Sequence, residues 1–145
     1  MKANIIIYQC GQPRDHMFYS YIGPYALNRK VTSEIHDLQY GSIYDEPYAA
    51  WIIMTDKRDD LIGFCAIFEK EKEIFFDNFY IVENYRRQGF ARELFRFRMN
   101  MAKSIANGKK IKGITQSEIQ YRIYNDNGFK LASKRGKYYW MVLEG

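Results

Sequence analysis

The stretch between residues 73 and 106 constrains the fold more than any other part of the chain. An apolar segment, a basic turn and an amphipathic helix follow one another there without interruption. Within the turn Arg86-Arg87-Gln88-Gly89-Phe90-Ala91, Gly89 allows a close backbone approach to a ligand because it has no Cβ. The free N–H groups at the start of the following helix point at the same place. We therefore predict an anion site at this turn, with pyrophosphate as its natural ligand.

The spacing of apolar residues defines the helix and the strand that flank this turn. Five residues recur at helical intervals and predict the buried face of the helix, which Asn107-Gly108 ends: Phe90, Leu94, Phe97, Met101 and Ile105. In the segment 73–82, strict alternation predicts two apolar faces. Ile74, Phe76, Tyr80 and Val82 share one face, and Phe75, Phe79 and Ile81 share the other. Because both faces are apolar, we expect this strand at the centre of a sheet.

The remaining pattern alternates short strands with a few helices. We expect a strand at 4–9, then a helical region at 16–38 that Gly23-Pro24 breaks or bounds. A hairpin at 48–54 and 61–68 precedes the central strand. After the basic helix we expect a strand at 110–115, a helix at 118–125 and a closing pair near 130–133 and 138–143. Because strands and helices do not strictly alternate along the chain, this order predicts an α/β (α+β) sheet of mostly antiparallel strands.

Length and composition predict one domain that spans residues 1–145. With 145 residues, 47% of them hydrophobic, the chain can bury a core without metal or disulfide. The longest apolar runs are the length of strands, so we expect no membrane segment. The N-terminus lacks a signal-like pattern, and Cys10 and Cys65 lie in apolar strand patterns, which favours two reduced thiols and the cytoplasm. His16 and His36 have no ligand-spaced partner, so we expect no metal site.

Three motifs resemble the GNAT superfamily of acyl-CoA N-acyltransferases. Arg-x-x-Gly-x-Ala at residues 86–91 resembles its pyrophosphate loop, with Arg87 and Ala91 standing where Gly is frequent. The run Tyr124-Asn125-Asp126-Asn127-Gly128-Phe129 resembles its Tyr-x-x-x-Gly-Phe motif, and residues 76–81 resemble its central strand. The motifs follow the family's order over about residues 51–145. The resemblance implies a mostly antiparallel mixed sheet of six to seven strands, flanked by about four helices.

The resemblance also implies acetyl-CoA as cosubstrate and a set of site residues. Its cofactor contacts correspond to Phe79, Tyr80, Ile81, Arg86, Arg87, Gln88, Gly89, Phe90, Ala91, Arg92 and Ser117, where Ser117 replaces a frequent Asn. Tyr124 matches the general acid, and a phenol with a pKa near ~10 suits the protonation of a thiolate. Asp77 is the candidate base, directly or through a water, with Glu73 and Glu118 as fallbacks; it could instead pair with a lysine.

Other functions agree with the same residues. The net charge of +5 also fits a basic protein associated with nucleic acid, including an enzyme that acetylates aminoacyl-tRNA. A non-catalytic acyl-CoA-binding module is a further possibility, because it would bind acyl-CoA at the same turn but would not transfer the acyl group. For an enzyme, the amine acceptor remains open among small molecules, peptides, protein lysines and aminoacyl-tRNA. The chain is expected to be a monomer or a homodimer.

Overall fold

A computed structural model describes residues 3–35 and 43–144 of the chain. Its elements, in chain order, are β1 (Asn4–Tyr8), α1 (His16–Ala26), α2 (Arg29–Glu34), β2 (Ala49–Thr55), β3 (Leu61–Glu69), β4 (Glu73–Ile81), a 3-10 turn (Glu83–Tyr85), α3 (Phe90–Ala106), β5 (Lys110–Thr115), α4 (Glu118–Asp126), β6 (Lys130–Arg135) and β7 (Tyr138–Leu143). Most boundaries lie within two residues of the predicted ones.

The strands form one mixed sheet in the order β1-β2-β3-β4-β5-β7-β6. Neighbouring strands are antiparallel except β4 and β5, which are parallel and joined by α3. The described part of the chain thus contains seven strands and four α-helices, which confirms the predicted fold class. In these residues no helix is both long and apolar enough to cross a membrane.

The sheet is buried on both faces by helices. On one face, which we call the α3/α4 face, α3 and α4 pack their apolar residues, among them Leu94, Phe95 and Ile123, against the strands. On the other, which we call the α1/α2 face, α1 and α2 contribute Phe18 and Val31. β2, β3 and β4 are almost entirely buried, because they lie between these two layers.

The predicted break at Gly23-Pro24 is wrong, because α1 continues through both residues to Ala26. The break comes at Asn28, whose side chain accepts hydrogen bonds from the N–H groups of Lys30 (3.0 Å) and Val31 (3.2 Å) and so starts α2. Pro24 lies in the last turn of α1, and the helix ends two residues after it, at Ala26. The last part of the predicted helical region, residues 36–38, lies outside the described residues.

The predicted faces of β4 are wrong beyond Asp77, because the strand contains a β-bulge. Ala66 of β3 pairs with Asp77 and Phe64 pairs with Tyr80, so β4 has one residue more than β3 between these pairs. Asn78 takes the left-handed conformation that the bulge requires, with φ +56°. The extra residue reverses the alternation. Phe79 and Ile81 therefore join Phe76 on the α3/α4 face, and Tyr80 joins Phe75 on the opposite face.

The buried stripe of α3 differs from the predicted one by about one residue. Its buried side chains are Phe90, Leu94, Phe95, Arg98, Met99, Ala102 and Ala106, while Phe97, Met101 and Ile105 are only partly buried. Because 3.6 residues complete a turn, a stripe can be centred on either of two neighbouring residues. The shift places the charged side chain of Arg98 inside the core.

Candidate cofactor and catalytic site

The pairing between β4 and β5 ends before either strand does. It runs from Glu73 and Lys110 to Phe76 and Gly113, whereas β4 continues to Ile81. Within the described residues, the second half of β4 therefore pairs with β3 alone, and its other backbone edge is available to a ligand. We call this opening the fork. Gly113 lies at its apex.

The mouth of the fork leads to the start of α3, where the chain offers unused N–H groups. Gly89 is the N-cap of α3, takes φ +87° and has no side chain to cap the helix. The first intrahelical bond at this end runs from the N–H of Glu93 to the carbonyl oxygen of Gly89 (3.2 Å). The N–H groups of Phe90, Ala91 and Arg92 are therefore left for an anion. A Cβ on Gly89 would meet no atom within 4 Å, so the space in front of this turn is open.

A cavity of about 460 Å³ connects the fork with this turn. Its lining residues are Glu34, Phe79, Tyr80, Ile81, Tyr85, Arg86, Arg87, Gly89, Ala91, Arg92, Ser117, Ile119, Gln120 and Ile123. The cavity brings together the predicted cofactor residues, apart from Gln88 and Phe90. The available backbone edge of β4 and the N-terminus of α3 thus face one space.

Gln88 and Phe90 support the turn without lining the cavity. The Gln88 side chain donates a hydrogen bond to the carbonyl oxygen of Asn84 (3.1 Å). Phe90 is buried and packs edge-on against Tyr85, with 6.0 Å between ring centroids. Tyr85 in turn donates a hydrogen bond to Asp56 (2.5 Å), which raises the pKa of the Tyr85 phenol. These contacts attach the turn to the β2–β3 hairpin.

Arg86 is held at the cavity wall by neighbouring protein groups. It donates to the carbonyl oxygen of Ile81 (2.9 Å) and to the Glu34 carboxylate (2.7 Å), and its guanidinium lies over the Tyr80 ring. The hydrogen bond from Arg86 also holds the pKa of Glu34 below its ordinary value. The ion pair joins α2 to the turn. Arg86 therefore shapes the site and neutralises Glu34 as well as adding positive charge.

Arg87 and Arg92 present their charge more openly. Arg87 has φ +64°, a left-handed conformation that is costly for a residue with a Cβ. This conformation gives a physical reason why Gly is frequent at that position in the resembling motif. The Arg92 side chain is 58% exposed and forms an ion pair with Asp126 (2.8 Å). Both arginines line the cavity, where they can attract phosphate oxygens.

Ser117 lies on the opposite wall as the N-cap of α4. Its hydroxyl oxygen accepts a hydrogen bond from the N–H of Gln120 (3.2 Å), and its own N–H donates to the hydroxyl of Thr115 (3.1 Å). These two bonds turn the chain from β5 into α4. The hydroxyl hydrogen of Ser117 remains able to donate to an acceptor in the cavity.

Tyr124 lies in the core behind the cavity wall. Its side chain is fully buried, packs edge-on against Phe95 and Phe129, and does not line the cavity. A Cβ on Gly113 would collide with the Tyr124 hydroxyl, so the phenol lies directly against the apex of the fork. A ligand that reached Tyr124 would have to extend to this apex.

Asp77 lies on the α1/α2 face, and not with Phe79 and Ile81 as strict alternation predicts. Its carboxylate accepts hydrogen bonds from the Tyr44 hydroxyl (2.9 Å) and from the N–H of Asn78 (2.9 Å). The Asn78 side chain donates back to the carbonyl oxygen of Tyr44 (2.9 Å). The segment that contains Tyr44 is thus fastened to the bulge. Asp77 is fully buried, and its carboxylate has lone pairs for further donors.

The fallback acids Glu73 and Glu118 are engaged elsewhere. Glu73 forms an ion pair with Lys112 (2.8 Å), at the end of β4 away from the cavity. Glu118 accepts a hydrogen bond from the Tyr139 hydroxyl, which raises the pKa of that phenol. Neither residue lines the cavity. The described residues contain no group of three or more His, Cys, Asp or Glu side chains that could hold a metal ion.

Sequence reasoning did not identify Glu34, Asn78 or Arg98 as parts of the site. Glu34 reaches it through a contact 52 residues away along the chain, which no local pattern announces. Asn78 carried a usable signal, because Asn within an apolar strand is typical of a left-handed bulge position. The signal for Arg98 lies in the pattern of the helix: when the buried stripe of α3 is centred on Phe95 and Met99, Arg98 falls within it.

Comparisons with known proteins agree with this geometry. The family model described as "Acetyltransferase (GNAT) domain" matches residues 46–131, more than half of the chain. No curated protein matches the sequence significantly. Among solved structures, Escherichia coli ElaA aligns with TM-score 0.74 and 12% identity, over 99% of this chain and 100% of that one.

Two further structures show the same fold. An acyl-CoA N-acyltransferase from Pseudomonas aeruginosa aligns with TM-score 0.71 and 10% identity, over 97% of this chain and 99% of that one. Spermidine N-acetyltransferase from Vibrio cholerae, solved in complex with CoA and spermine, aligns with TM-score 0.71 and 15% identity, over 97% and 95% of the two chains. Together with the fork and the open N-terminus of α3, the family match shows that the chain belongs to the GNAT family of acetyltransferases.

Proposed function

We propose that the chain is an N-acetyltransferase that transfers the acetyl group of acetyl-CoA to a primary amine, by direct attack in a ternary complex. One observation carries the proposal: a single cavity joins the available edge of β4 to the uncapped N-terminus of α3. The first can pair with the amide groups of pantetheine, and the second can bind a pyrophosphate. Both are parts of CoA.

The residues around the cavity divide between the two ends of acetyl-CoA. The N–H groups of residues 90–92 would hold the pyrophosphate, with Arg87 and Arg92 adding charge-assisted contacts. The backbone of Phe79, Tyr80 and Ile81 would pair with pantetheine, and Ser117 would contact it from the opposite wall. The thioester then lies toward the apex of the fork at Gly113.

The chemistry requires three roles near that apex. The amine nitrogen attacks the thioester carbonyl carbon, the C–S bond breaks, and the sulfur leaves with the electron pair and takes a proton. Tyr124 is the proposed donor of that proton, because its phenol lies against Gly113. Backbone N–H groups of residues 79–81 are the proposed donors to the oxyanion. Asp77 is the proposed acceptor of the amine proton through a bridging water.

The placement of the two side chains supports direct attack. Tyr124 belongs to the core of the α3/α4 face, whereas Asp77 bonds to Tyr44 on the α1/α2 face. The proposed acid and base thus reach the fork from opposite sides of the sheet. An amine that enters from the α1/α2 side can meet a thioester held on the α3/α4 side, so no covalent acyl-enzyme is needed.

A primary amine is the acceptor class in this proposal. The Vibrio cholerae protein that shares this fold, a spermidine N-acetyltransferase, supports this class, because spermidine carries primary amines. A small molecule, a peptide and an aminoacyl-tRNA all present such an amine. The proposal also places residues 1–145 in one catalytic domain and assigns it to the cytoplasm. Cys10 and Cys65, which are not joined by a disulfide, agree with a reducing compartment.

The experiment is an acceptor screen with a chemical readout. Purified protein is incubated with acetyl-CoA and a panel of polyamines, amino acids and peptides, and released thiol and acetylated amine are both quantified. The proposal predicts a stoichiometric increase in both products with at least one amine. The Tyr124→Phe variant serves as control for spontaneous acetylation. Thiol release without acetylated amine, or equal rates with and without protein, would contradict the proposal.

A further inference from the structure

The β6–β7 hairpin carries most of the net charge of the chain. Residues 127–143 contain no acid and four cations: Lys130, Lys134, Arg135 and Lys137. Of the 22 Lys and Arg residues and the 17 Asp and Glu residues of the chain, 18 and 17 lie elsewhere, so the remainder is almost neutral. Four of the five excess positive charges therefore belong to this hairpin. Such a concentration of one sign of charge is typical of a surface that binds a polyanion.

All four cations are exposed, and none of them forms an ion pair with another residue in the ranges 3–35 and 43–144 that the structure describes. Three of them lie over aromatic rings of β7. The distances from the charged group to the ring centroid are 4.9 Å for Lys134 and Tyr139, 5.0 Å for Arg135 and Trp140, and 5.7 Å for Lys137 and Tyr138. The rings orient the cations without neutralising them, so the charge stays available to a ligand.

Protection of the sheet edge does not account for all of this charge. β6 is an edge strand, and charged side chains on an edge strand prevent pairing with another sheet. That role explains cations within β6. It does not explain Lys137, which lies in the turn before β7, or the absence of acids from the whole hairpin. An anionic ligand explains both.

The hairpin lies beside the open end of the fork. Met141 of β7 is paired with Gly113 at the apex. Trp140 and Tyr139 are paired with the next two residues of β5, which lie beyond the apex. The turn that joins β6 to β7 continues in the same direction. The cations of the turn therefore lie on the side where β4 and β5 have separated.

The hairpin also reaches the face from which the amine enters in the proposed reaction. Tyr138 and Trp140 pack on the α1/α2 face, where the Trp140 ring lies 6.4 Å from that of Phe75. Arg135 and Lys137 lie over the Trp140 and Tyr138 rings and so belong to this face. The negative charge of Asp77 is on the same face but is fully buried. A ligand at the surface therefore meets the cations first.

We propose that the β6–β7 hairpin binds the phosphates of a single-stranded RNA end, and that the amine acceptor is an aminoacyl group carried by that RNA. Binding of RNA is independent of acetyl transfer, whereas the role of the RNA as acceptor rests on the proposed function. The chemistry is unchanged: the aminoacyl nitrogen forms a bond to the acetyl carbon, the C–S bond breaks, and CoA leaves as a thiol. An α-amine has a pKa near ~8, so a useful fraction is neutral and nucleophilic at neutral pH.

RNA is favoured over an acidic protein because the cations alternate with rings. Lys134 and Lys137 can contact phosphates, and the guanidinium of Arg135 offers a plane on which a base can stack. An acidic peptide would use the charges alone. The two ligands can therefore be told apart in direct binding measurements.

The first experiment measures binding of a labelled, short single-stranded RNA by fluorescence anisotropy. Contacts with four phosphates of a single strand give a slope of about −3 for log K against log salt, so affinity should fall about fiftyfold between about 50 and 200 mM salt. Saturating CoA should not displace the RNA, because none of the four cations lines the cavity. Absence of binding, binding independent of salt, or displacement by CoA would overturn the proposal. Tighter binding of polyglutamate than of RNA would assign the hairpin to an acidic protein instead.

The second experiment locates the surface with two triple variants that remove equal charge. One variant changes the tip of the hairpin: Lys134→Gln, Arg135→Gln and Lys137→Gln. The matched control changes exposed cations elsewhere: Lys72→Gln, Arg96→Gln and Lys103→Gln. We expect the salt slope of the hairpin variant to be smaller by about 2 and that of the control to equal the wild type. Equal losses in both would overturn the assignment. If the hairpin variant does not fold, Lys137→Gln alone should still reduce the slope by about 0.7.

The third experiment tests the RNA as acceptor. Acetyl-CoA is offered with an aminoacylated RNA, and the methyl ester of the same amino acid is the comparator. We expect kcat/KM to be about tenfold higher or more for the RNA, and the hairpin variant to raise KM for the RNA with little change in kcat. If CoA and RNA both bind but the ester is the better substrate, the RNA is not the acceptor. If CoA does not bind, the proposed function and the acceptor role fail together, and the first two experiments alone decide the RNA surface.

Discussion

The glycine at the start of α3 gives the sharpest test of the cofactor site, because the same helix supplies its control. Gly89 and Gly108 flank α3 at its two ends, with φ +87° and +82°. A Cβ at either position would meet no atom within 4 Å. The substitutions Gly89→Ala and Gly108→Ala therefore introduce the same backbone strain and no steric clash with the protein. They differ in that only Gly89 lines the cavity.

The expected magnitudes follow from this geometry. A left-handed conformation costs an L-residue about 1–2 kcal/mol, so each variant should melt about 3–6 °C below the wild type in the absence of ligand. In Gly89→Ala the new methyl group also stands in the open space before the N–H groups of residues 90–92. The loss of one charge-assisted hydrogen bond there costs about 1.5–3 kcal/mol, so CoA should bind about 10- to 100-fold more weakly.

Two measurements separate these effects: thermal unfolding without ligand, and isothermal titration calorimetry with CoA. We expect both variants to lose similar stability and only Gly89→Ala to lose affinity for CoA. Equal dissociation constants for CoA in both variants and the wild type would refute the assignment of this turn to the pyrophosphate. A larger loss of affinity in Gly108→Ala would refute it as well, since Gly108 lies at the far end of the helix.

Three further predictions concern individual side chains. Tyr124→Phe should lower kcat by about a hundredfold or more while the dissociation constant of CoA stays unchanged, and an unaltered kcat would remove Tyr124 from the mechanism. The hydrogen bond from Arg86 lowers the pKa of Glu34. The ion pair therefore stabilises the fold fully at pH values above 4.5, the ordinary pKa of Glu, and this stabilisation is lost as the pH falls through the lowered pKa. Near neutral pH the unfolding free energy of the wild type should therefore exceed that of Glu34→Gln by up to about 1 kcal/mol. Denaturation curves at acid pH should show no such difference, and a difference that persists there would contradict the reasoning. Arg87→Gly should leave the melting temperature unchanged or raised, because Gly relieves the strain at φ +64°, whereas Arg92→Gly within α3 should lower it; a drop in both would argue against strain at Arg87.

Local patterns were sufficient to predict the turn and its flanking elements. The run from Arg86 to Ala91 has its glycine where the chain turns, and the helix after it repeats apolar residues over four turns. Such signals depend on neighbours along the chain and need no tertiary information. The sequence therefore predicted the order of strand, turn and helix, and with it the family.

The faces of β4 could not be predicted by alternation, because a single inserted residue reverses it. Up to Asp77 the predicted faces agree with the structure, and after Asn78 they are exchanged. A bulge is specified jointly by two strands, since Phe64 and Ala66 of β3 decide which residues of β4 are paired. One strand read alone gives no such register.

Long-range contacts set the rest of the site. The bonds from Tyr44 to Asp77 and from Arg86 to Glu34 join segments that are distant in sequence. The burial of Arg98 depends on which side of α3 faces the sheet, and the pattern of the helix admits two neighbouring answers. These features follow from tertiary packing, which overrides the local preference of each residue.

The most direct test of the central claim is thermal unfolding of the purified chain with millimolar acetyl-CoA, CoA or ATP. A ligand that binds only the folded state stabilises it by about 2.7 kcal/mol at a hundredfold excess over its Kd. The account predicts a higher melting temperature with acetyl-CoA and with CoA, and no comparable rise with ATP. An unchanged melting temperature with acetyl-CoA and CoA would contradict it, and salt-dependent RNA binding would then be the property to measure.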